Sequence, residues 1–287
     1  MKKILISAIA LCLVASAGYP QKFSFKLSGG IGYALGNDLT KGIQGQSDYL
    51  KQEYGLAAGF KIPQLGTNFA GEVIFYPWPN FGVGVGAGYL QIAKESQVIY
   101  TIGPLNVTEK IKPAITAIPL ALNLHYLFRF SPRLRLDLTA GASYYLTTLK
   151  WDYQTDYSIS TLKGNDHYTF SAKKKTIGYQ GGLGLEYSLT SGLAVFLNVL
   201  ARYASLGPIE GGSWTDNSSG DFEVFSLSGS DHSFWYYERQ AGGQNFAQIA
   251  FRSEQPSGDP NLSNVRQAKL ALTGFAATIG FKISLGR

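Results

Sequence analysis

The chain has 287 residues, and three histidines, one cysteine and 19 acidic side chains are its groups suited to acid–base, nucleophilic or metal chemistry. Asp and His stand side by side at Asp166-His167 and Asp231-His232. Neighbours on an extended chain point to opposite faces, so neither pair forms a dyad by itself. Three dispersed histidines without a cysteine partner fit no zinc-type ligand spacing, and no metal, cofactor or catalytic residue is expected. What remains is charge placed at regular intervals: Lys26, Glu72, His125, Arg129, Arg135, Asp137, Glu186, Arg202 and Lys282. Each falls at one parity of an alternating apolar segment, so its chemistry depends on what those segments build.

At the N-terminus, Lys2 and Lys3 precede an apolar run from Ile4 to Val14 that ends in Ala15-Ser16-Ala17. A basic start, a short apolar stretch and a small-x-small site describe an export signal, which predicts a cleaved segment 1–17 and one mature domain over 18–287. The run is shorter than the roughly 20 residues of a spanning helix. Cys12 lies inside it behind Leu11, where a lipoprotein signal wants a small residue, so the mature chain is expected to carry no lipid anchor and no thiol chemistry. There are 25 Lys and Arg against 19 Asp and Glu, and loss of Lys2 and Lys3 leaves a net charge of about +4. These bases are scattered rather than clustered, which speaks against nucleic acid as a partner. No apolar run after the signal reaches 18 residues, so spanning helices are excluded.

Eight stretches instead alternate with a period of two. Phe23 to Leu35 sets Phe23, Phe25, Leu27, Ile31, Tyr33 and Leu35 against Ser24, Lys26, Ser28, Gly30, Gly32 and Ala34. Thr67 to Tyr76 is less regular, with Val73-Ile74-Phe75-Tyr76 consecutive, and ends at the turn Pro77-Trp78-Pro79-Asn80. Further alternating stretches begin near Phe81, Ile118, Leu134, Ile177, Leu193 and Gly274. Short turns at Ser131-Pro132-Arg133 and Ser191-Gly192 alternate with long connections, about 36–66, 94–113, 150–175 and 207–267, which read as surface loops. Short turns on one side and long loops on the other are the rhythm of an outer-membrane β-barrel.

The heights of the aromatics support this independently. Apolar faces carry Phe23, Phe75, Phe81, Phe128, Phe130, Tyr187 and Phe281 near the short turns, and Tyr33, Tyr89, Tyr144, Tyr179 and Tyr203 near the long loops. Two belts separated by the span of one tilted strand mark the two interfaces of a bilayer. The fold class is therefore all-β: a transmembrane, antiparallel, up-and-down β-barrel of eight strands with long extracellular loops, ten strands being the competing count. On this topology and alternation, from Lys22 onward, the chain resembles the eight-stranded outer-membrane barrels of the OmpA, OmpX and OmpW type. The resemblance implies outer-membrane lipid, lipopolysaccharide and the barrel assembly machinery as partners. It also implies a terminal aromatic read by that machinery, where this chain has Gly286-Arg287.

Three functions follow in order. The first is a structural or surface-adhesion role through the long loops; the second, a narrow channel for a small solute, apolar ones included; the third, an outer-membrane hydrolase. The inward charges read as an ion-pair network filling a narrow bore, with a charged constriction as the alternative. An omptin-like protease would pair aspartates with an Asp-x-His, and lipid hydrolases would need a His-Ser arrangement on the lipid-facing rim; His125 faces inward by parity, so no enzyme is expected. Lys173-Lys174-Lys175 reads as a solvated rim or as a contact for lipopolysaccharide phosphates. The last loop holds Trp214, Phe222, Phe225, Phe234, Trp235, Tyr236 and Tyr237. It reads either as a hairpin of 221–228 with 233–240 that packs its aromatics inward, or as a surface for a polysaccharide or protein ligand, with Trp214 and Phe234 to Tyr237 as its contacts.

Overall fold

The computed structural model describes residues 22–35, 38–56, 59–61, 64–220 and 225–285. The export signal, with Cys12, and the last two residues lie outside them, as does Phe222. Eight strands close a ring: β1 (Lys22–Ala34), β2 (Leu65–Trp78), β3 (Phe81–Ala93), β5 (Leu105–Arg129), β6 (Leu134–Ile159), β7 (Leu162–Ser188), β8 (Leu193–Tyr203) and β15 (Gly274–Leu285). Every neighbouring pair is antiparallel, and β15 shuts the ring by pairing with both β8 and β1. The chain is thus an eight-stranded barrel.

Within the ring, parity separates two solvents. Leu27, Ile31, Leu122, Leu183 and Ile279 are exposed on the outside, as lipid-facing side chains must be, between aromatic belts that include Phe23, Phe128 and Phe281 at one end and Tyr33, Tyr144 and Tyr203 at the other. Ser24, Lys26, Asn123, His125, Asp137 and Glu186 are buried inside. The irregular stretch Val73 to Tyr76 has a simple cause. Its inward members Ile74 and Tyr76 pack with Leu127 into a small apolar cluster, so both faces of β2 are apolar there.

Three of the long connections are not loops. A strand needs about 9–11 residues to cross a bilayer, whereas β5, β6 and β7 run for 25, 26 and 27 residues. They continue well beyond the long-loop interface, the extracellular one by the general pattern of such barrels. There they are joined by β4 (Ser96–Ile102) on β5, β10 (Gly212–Gly220) on β7, β11 (Phe225–Ala241), β12 (Gln244–Arg252) and β13 (Leu262–Gln267). The connection 150–175 is a continuous β6–β7 ladder up to Ile159 opposite Leu162. A short β9–β14 pair (Ser205–Pro208 with Lys269–Ala271) completes this head.

Parity is unbroken where β5 leaves the membrane, but its chemistry inverts. Ile118, Leu120 and Leu122 face lipid, whereas on the same outward side of the head stand Thr108, Lys110 and Lys112. The inward side changes from Asn123 and His125 to Val107, Ile111, Ile115 and Ala117. Water now wets the outside, so the apolar residues turn in.

The connection 36–66 holds an α-helix, α1 (Asp38–Tyr54), which corrects its reading as a plain loop. Leu39, Ile43 and Leu50 lie on one helical face and are buried in the head's core. Gly42 and Gly45 let α1 lie directly on β12; a Cβ on Gly45 would stand 2.1 Å from the Ala247 carbonyl oxygen. The expected hairpin of 221–228 with 233–240 is also corrected over its described residues, because β11 is one strand through 225–228 and 233–240. Its first part pairs with β10 and its second with β12 and β13. Asp231, at φ 65°, and a register shift in the β10–β11 ladder produce a bulge instead of a turn. Beyond that bulge the strand takes its partners from β12 and β13, while the Phe234 N–H donates to the Ile209 carbonyl and the Ala268 N–H to the Phe234 carbonyl.

Candidate functional site: a charged lumen under an apolar head

Six of the inward groups converge near the short-turn end of the bore. Asp137 accepts from Lys26 Nζ at 2.7 Å and lies 3.0 Å from His125 Nδ1. On the other side of the ring, His125 Nε2 lies 3.1 Å from Glu72 Oε1. Lys282 Nζ donates to both oxygens of Glu186, at 3.0 and 2.9 Å, and to the Tyr76 hydroxyl at 2.9 Å. Lys26 is also 3.7 Å from Glu186, which links the two halves. A polar relay continues upward: Asn123 Nδ2 donates to Glu72 at 2.7 Å, and Gln180 Nε2 donates to Asn123 Oδ1 at 2.8 Å. Each charge here is desolvated, and partners on several strands satisfy it, which is the condition under which buried ions are tolerated. Both ring nitrogens of His125 face carboxylates and both donate only when the imidazole holds two protons, which balances three cations against Glu72, Asp137 and Glu186.

Above this network the bore widens into a polar cavity of about 100 Å³, bordered by Ser28, Asn68, Tyr145, Gln180, Asn198 and Arg202. Over the cavity, the apolar core of the head crosses the barrel axis, with Leu90, Ile92, Tyr145, Leu149, Phe170 and Phe234 among its buried members.

The head carries a second concavity of about 440 Å³ between α1, the edge of β12 and the inner wall of β5 to β7. Trp151, Tyr153, Tyr168, Tyr237, Phe60 and Phe251 are its aromatic walls. Phe251 stacks on Phe170 at 4.1 Å and on Phe234 at 4.5 Å, which ties this wall to the core. Gln248, only 5% exposed, borders it with an Nε2 that has no hydrogen-bond partner among the described residues. Nearby, Glu109 accepts from the Tyr100 hydroxyl, and burial pushes its carboxyl above the usual range. A larger depression, about 870 Å³, lies against the lipid-facing residues Leu27, Val73, Val85, Leu122 and Ile177. Acyl chains meet that surface in a bilayer.

A family model described as the outer membrane protein beta-barrel domain matches residues 4–228. The chain belongs to that family. Among solved structures, this outer-membrane barrel is similar to a major outer membrane protein from Thermus thermophilus, at 11% identity and a TM-score of 0.39 over 93% of this chain and 100% of that one. It is similar also to the outer membrane protease OmpT from Escherichia coli, at 10% identity and a TM-score of 0.33, over 94% and 98% of the two chains. A Pseudomonas aeruginosa FadL homologue follows at 7% and 0.19, over 94% and 91%. The comparison with curated proteins finds no match.

In this outer-membrane barrel the inward charges are not all paired. Arg129 is exposed at the short-turn rim, Arg135 is half-buried there with its Nε unpartnered, and Arg202 lies well above the network. None of the three has a carboxylate within salt-bridge distance among the described residues, so they are removed from the expected ion-pair set. The reason is height: strand parity decides that a side chain points inward, but the stagger between strands decides which side chains meet. Tyr76, Asn123 and Gln180 join the network instead; their inward parity was visible, their level was not.

The aromatic surface expected in the last loop also divides by parity. Phe234 and Tyr236 are fully enclosed, and Trp214 packs half-buried against the core, so these three are corrected from contact residues to core residues. Trp235 stays half-exposed, and Tyr237 borders the aromatic pocket. Lys173 and Lys175 point outward a few residues beyond Ile177 and Tyr179, at headgroup height. His167 meets Asp152 across β6 and β7 at 2.9 Å, a pair the spacing did not suggest, with both side chains open to solvent.

Proposed function

We propose that the barrel anchors an extracellular head that recognises a ligand at the cell surface, so that its role is adhesion or recognition rather than transport. The observation that carries this reading is the continuous apolar core of the head lying across the bore above a sealed ion-pair network. A solute would have to break both. The pocket bordered by Trp151, Tyr153, Tyr168 and Tyr237 has the volume and the aromatic walls of a small-ligand site, and Gln248 offers it an unused donor. Aromatic faces with two amides, Gln46 and Gln248, and the exposed Arg252 at the border suit a sugar unit of a surface polysaccharide. The hydrolase reading draws little support from His167 and Asp152, an exposed pair on a flat strand face.

Cells displaying the intact protein are compared with cells displaying Trp151→Ala and Gln248→Leu for attachment to polysaccharide-coated and protein-coated surfaces. The reading expects attachment to fall about tenfold in variants that remain folded, and purified protein to give no stable conductance in planar bilayers. Unchanged attachment together with a steady open conductance would overturn it in favour of a channel.

A further inference from the structure

Among the described residues, the closed part of the lumen holds one cation that nothing neutralises. Arg202 projects inward from β8 and is 7% exposed. It makes no hydrogen bond or ion pair with the described residues, although it borders the cavity of about 100 Å³. The network below is balanced within itself, with Lys26, Lys282 and protonated His125 engaged by Glu72, Asp137 and Glu186. Arg202 is therefore a surplus positive charge in a closed bore. A guanidinium keeps its charge under all ordinary conditions, so it cannot escape the cost of burial by losing a proton. A buried charge of this kind is stable only when paired.

The fold makes room for it. Gly32 stands on β1, separated from β8 only by β15, and a Cβ there would stand 2.9 Å from the Arg202 terminal nitrogen. The cavity left beside the guanidinium holds about three waters by volume. Its border carries further polar side chains, Ser28, Asn68 and the Tyr145 hydroxyl, and the one carboxylate on it, Glu72, is engaged by His125 and Asn123.

We infer that the upper lumen is a binding site for one small anion, a halide or a one-carbon carboxylate, held by Arg202 and closed off by the apolar head. The volume excludes larger organic anions. The ion enters as the barrel folds or when the head opens, and it serves as the missing counter-charge. This site is separate from the aromatic pocket of the head and stands or falls independently of the adhesion reading.

The test is equilibrium unfolding of the purified barrel in an uncharged detergent, at constant ionic strength, with sodium gluconate replaced stepwise by chloride or formate. One site that binds only the folded state raises the folding constant about tenfold for each tenfold rise in anion above its dissociation constant. That slope is expected for the wild type in chloride and formate, with gluconate inert. Arg202→Met should abolish the slope and unfold no more easily than the wild type does in gluconate. Lys150→Met, on the exposed outer face of β6, should leave it intact. Equal slopes in wild type and Arg202→Met, or equal stability in gluconate and chloride, would overturn the site. Should Arg202→Met fail to fold, crystals of the wild type grown in bromide give a second reading. An anomalous peak beside the Arg202 guanidinium is expected, and a bromide-free lumen would refute the inference.

Discussion

Asp137→Asn is the sharpest probe of the lumen. Asp137 is 0% exposed and is the acceptor shared by Lys26, at 2.7 Å, and His125, at 3.0 Å. Asparagine keeps its shape but removes the charge and turns an N–H₂ toward a cation. Lys26 would then retain only Glu186, at 3.7 Å. Removing one partner of a buried pair costs about 3–5 kcal/mol, or roughly 10²- to 10⁴-fold in the folding constant. At a urea dependence of about 2 kcal/mol per molar, the midpoint should fall by about 2 M. Urea unfolding from lipid vesicles, followed by tryptophan fluorescence and by electrophoretic mobility of unheated protein, reads this directly. Replacing both members, Lys26→Met with Asp137→Leu, should restore most of the loss, since an apolar pair of similar volume needs no solvation. A midpoint shift below about 0.5 M for Asp137→Asn would mean that water already solvates the group, and the sealed bore would have to be abandoned.

Three further outcomes follow from other parts of the molecule. Leu122→Arg places a charge on the exposed wall at mid-depth and should cost about 2–4 kcal/mol in a bilayer, where a water-facing strand would tolerate it; vesicle unfolding distinguishes the two. Gly45→Val forces side-chain atoms against the Ala247 backbone and should lift α1 from β12, seen as faster proteolysis within 35–60 while the barrel stays intact. Burial works against the Asp38 carboxylate, but Arg266, donating at 2.5 and 2.9 Å, and the Lys269 N–H at 2.7 Å hold its carboxyl below the usual range. A depressed folded-state value means that this stabilisation is complete above about pH 4 and is lost as acid protonates the folded group. Protease sensitivity of the head should therefore rise on acidification below about pH 4 in the wild type and be independent of pH there in Asp38→Asn.

Strand parity is legible in the chain because two solvents meet at every strand. Lipid selects Leu122 and Ile279 on one side, and the bore selects Lys26, His125 and Asp137 on the other, with a period that one sequence displays. The aromatic belts are legible for the same reason, since each interface acts on single residues. The inversion in the head left its signal too: Val107, Ile111 and Ile115 keep the period of β5, and Leu39, Ile43 and Leu50 keep that of a helix, but polar neighbours on the watered face make both stretches look like loops.

The amino-acid sequence by itself determined the spanning β-strand pattern, the face each residue takes and the inward set of charges, because those are local consequences of alternation; closure at eight strands rather than ten was decided by the structure. Only the tertiary structure decided which inward charges meet. Barrel stagger sets Lys26 beside Asp137 while leaving Arg202 alone, and no single strand contains that information. The head likewise depended on long-range closure. The bulge at Asp231 gives the second half of β11 its own partners, β12 and β13, and Phe234 is enclosed in the core because its backbone also bonds to Ile209 and Ala268, contacts that loop composition could not express.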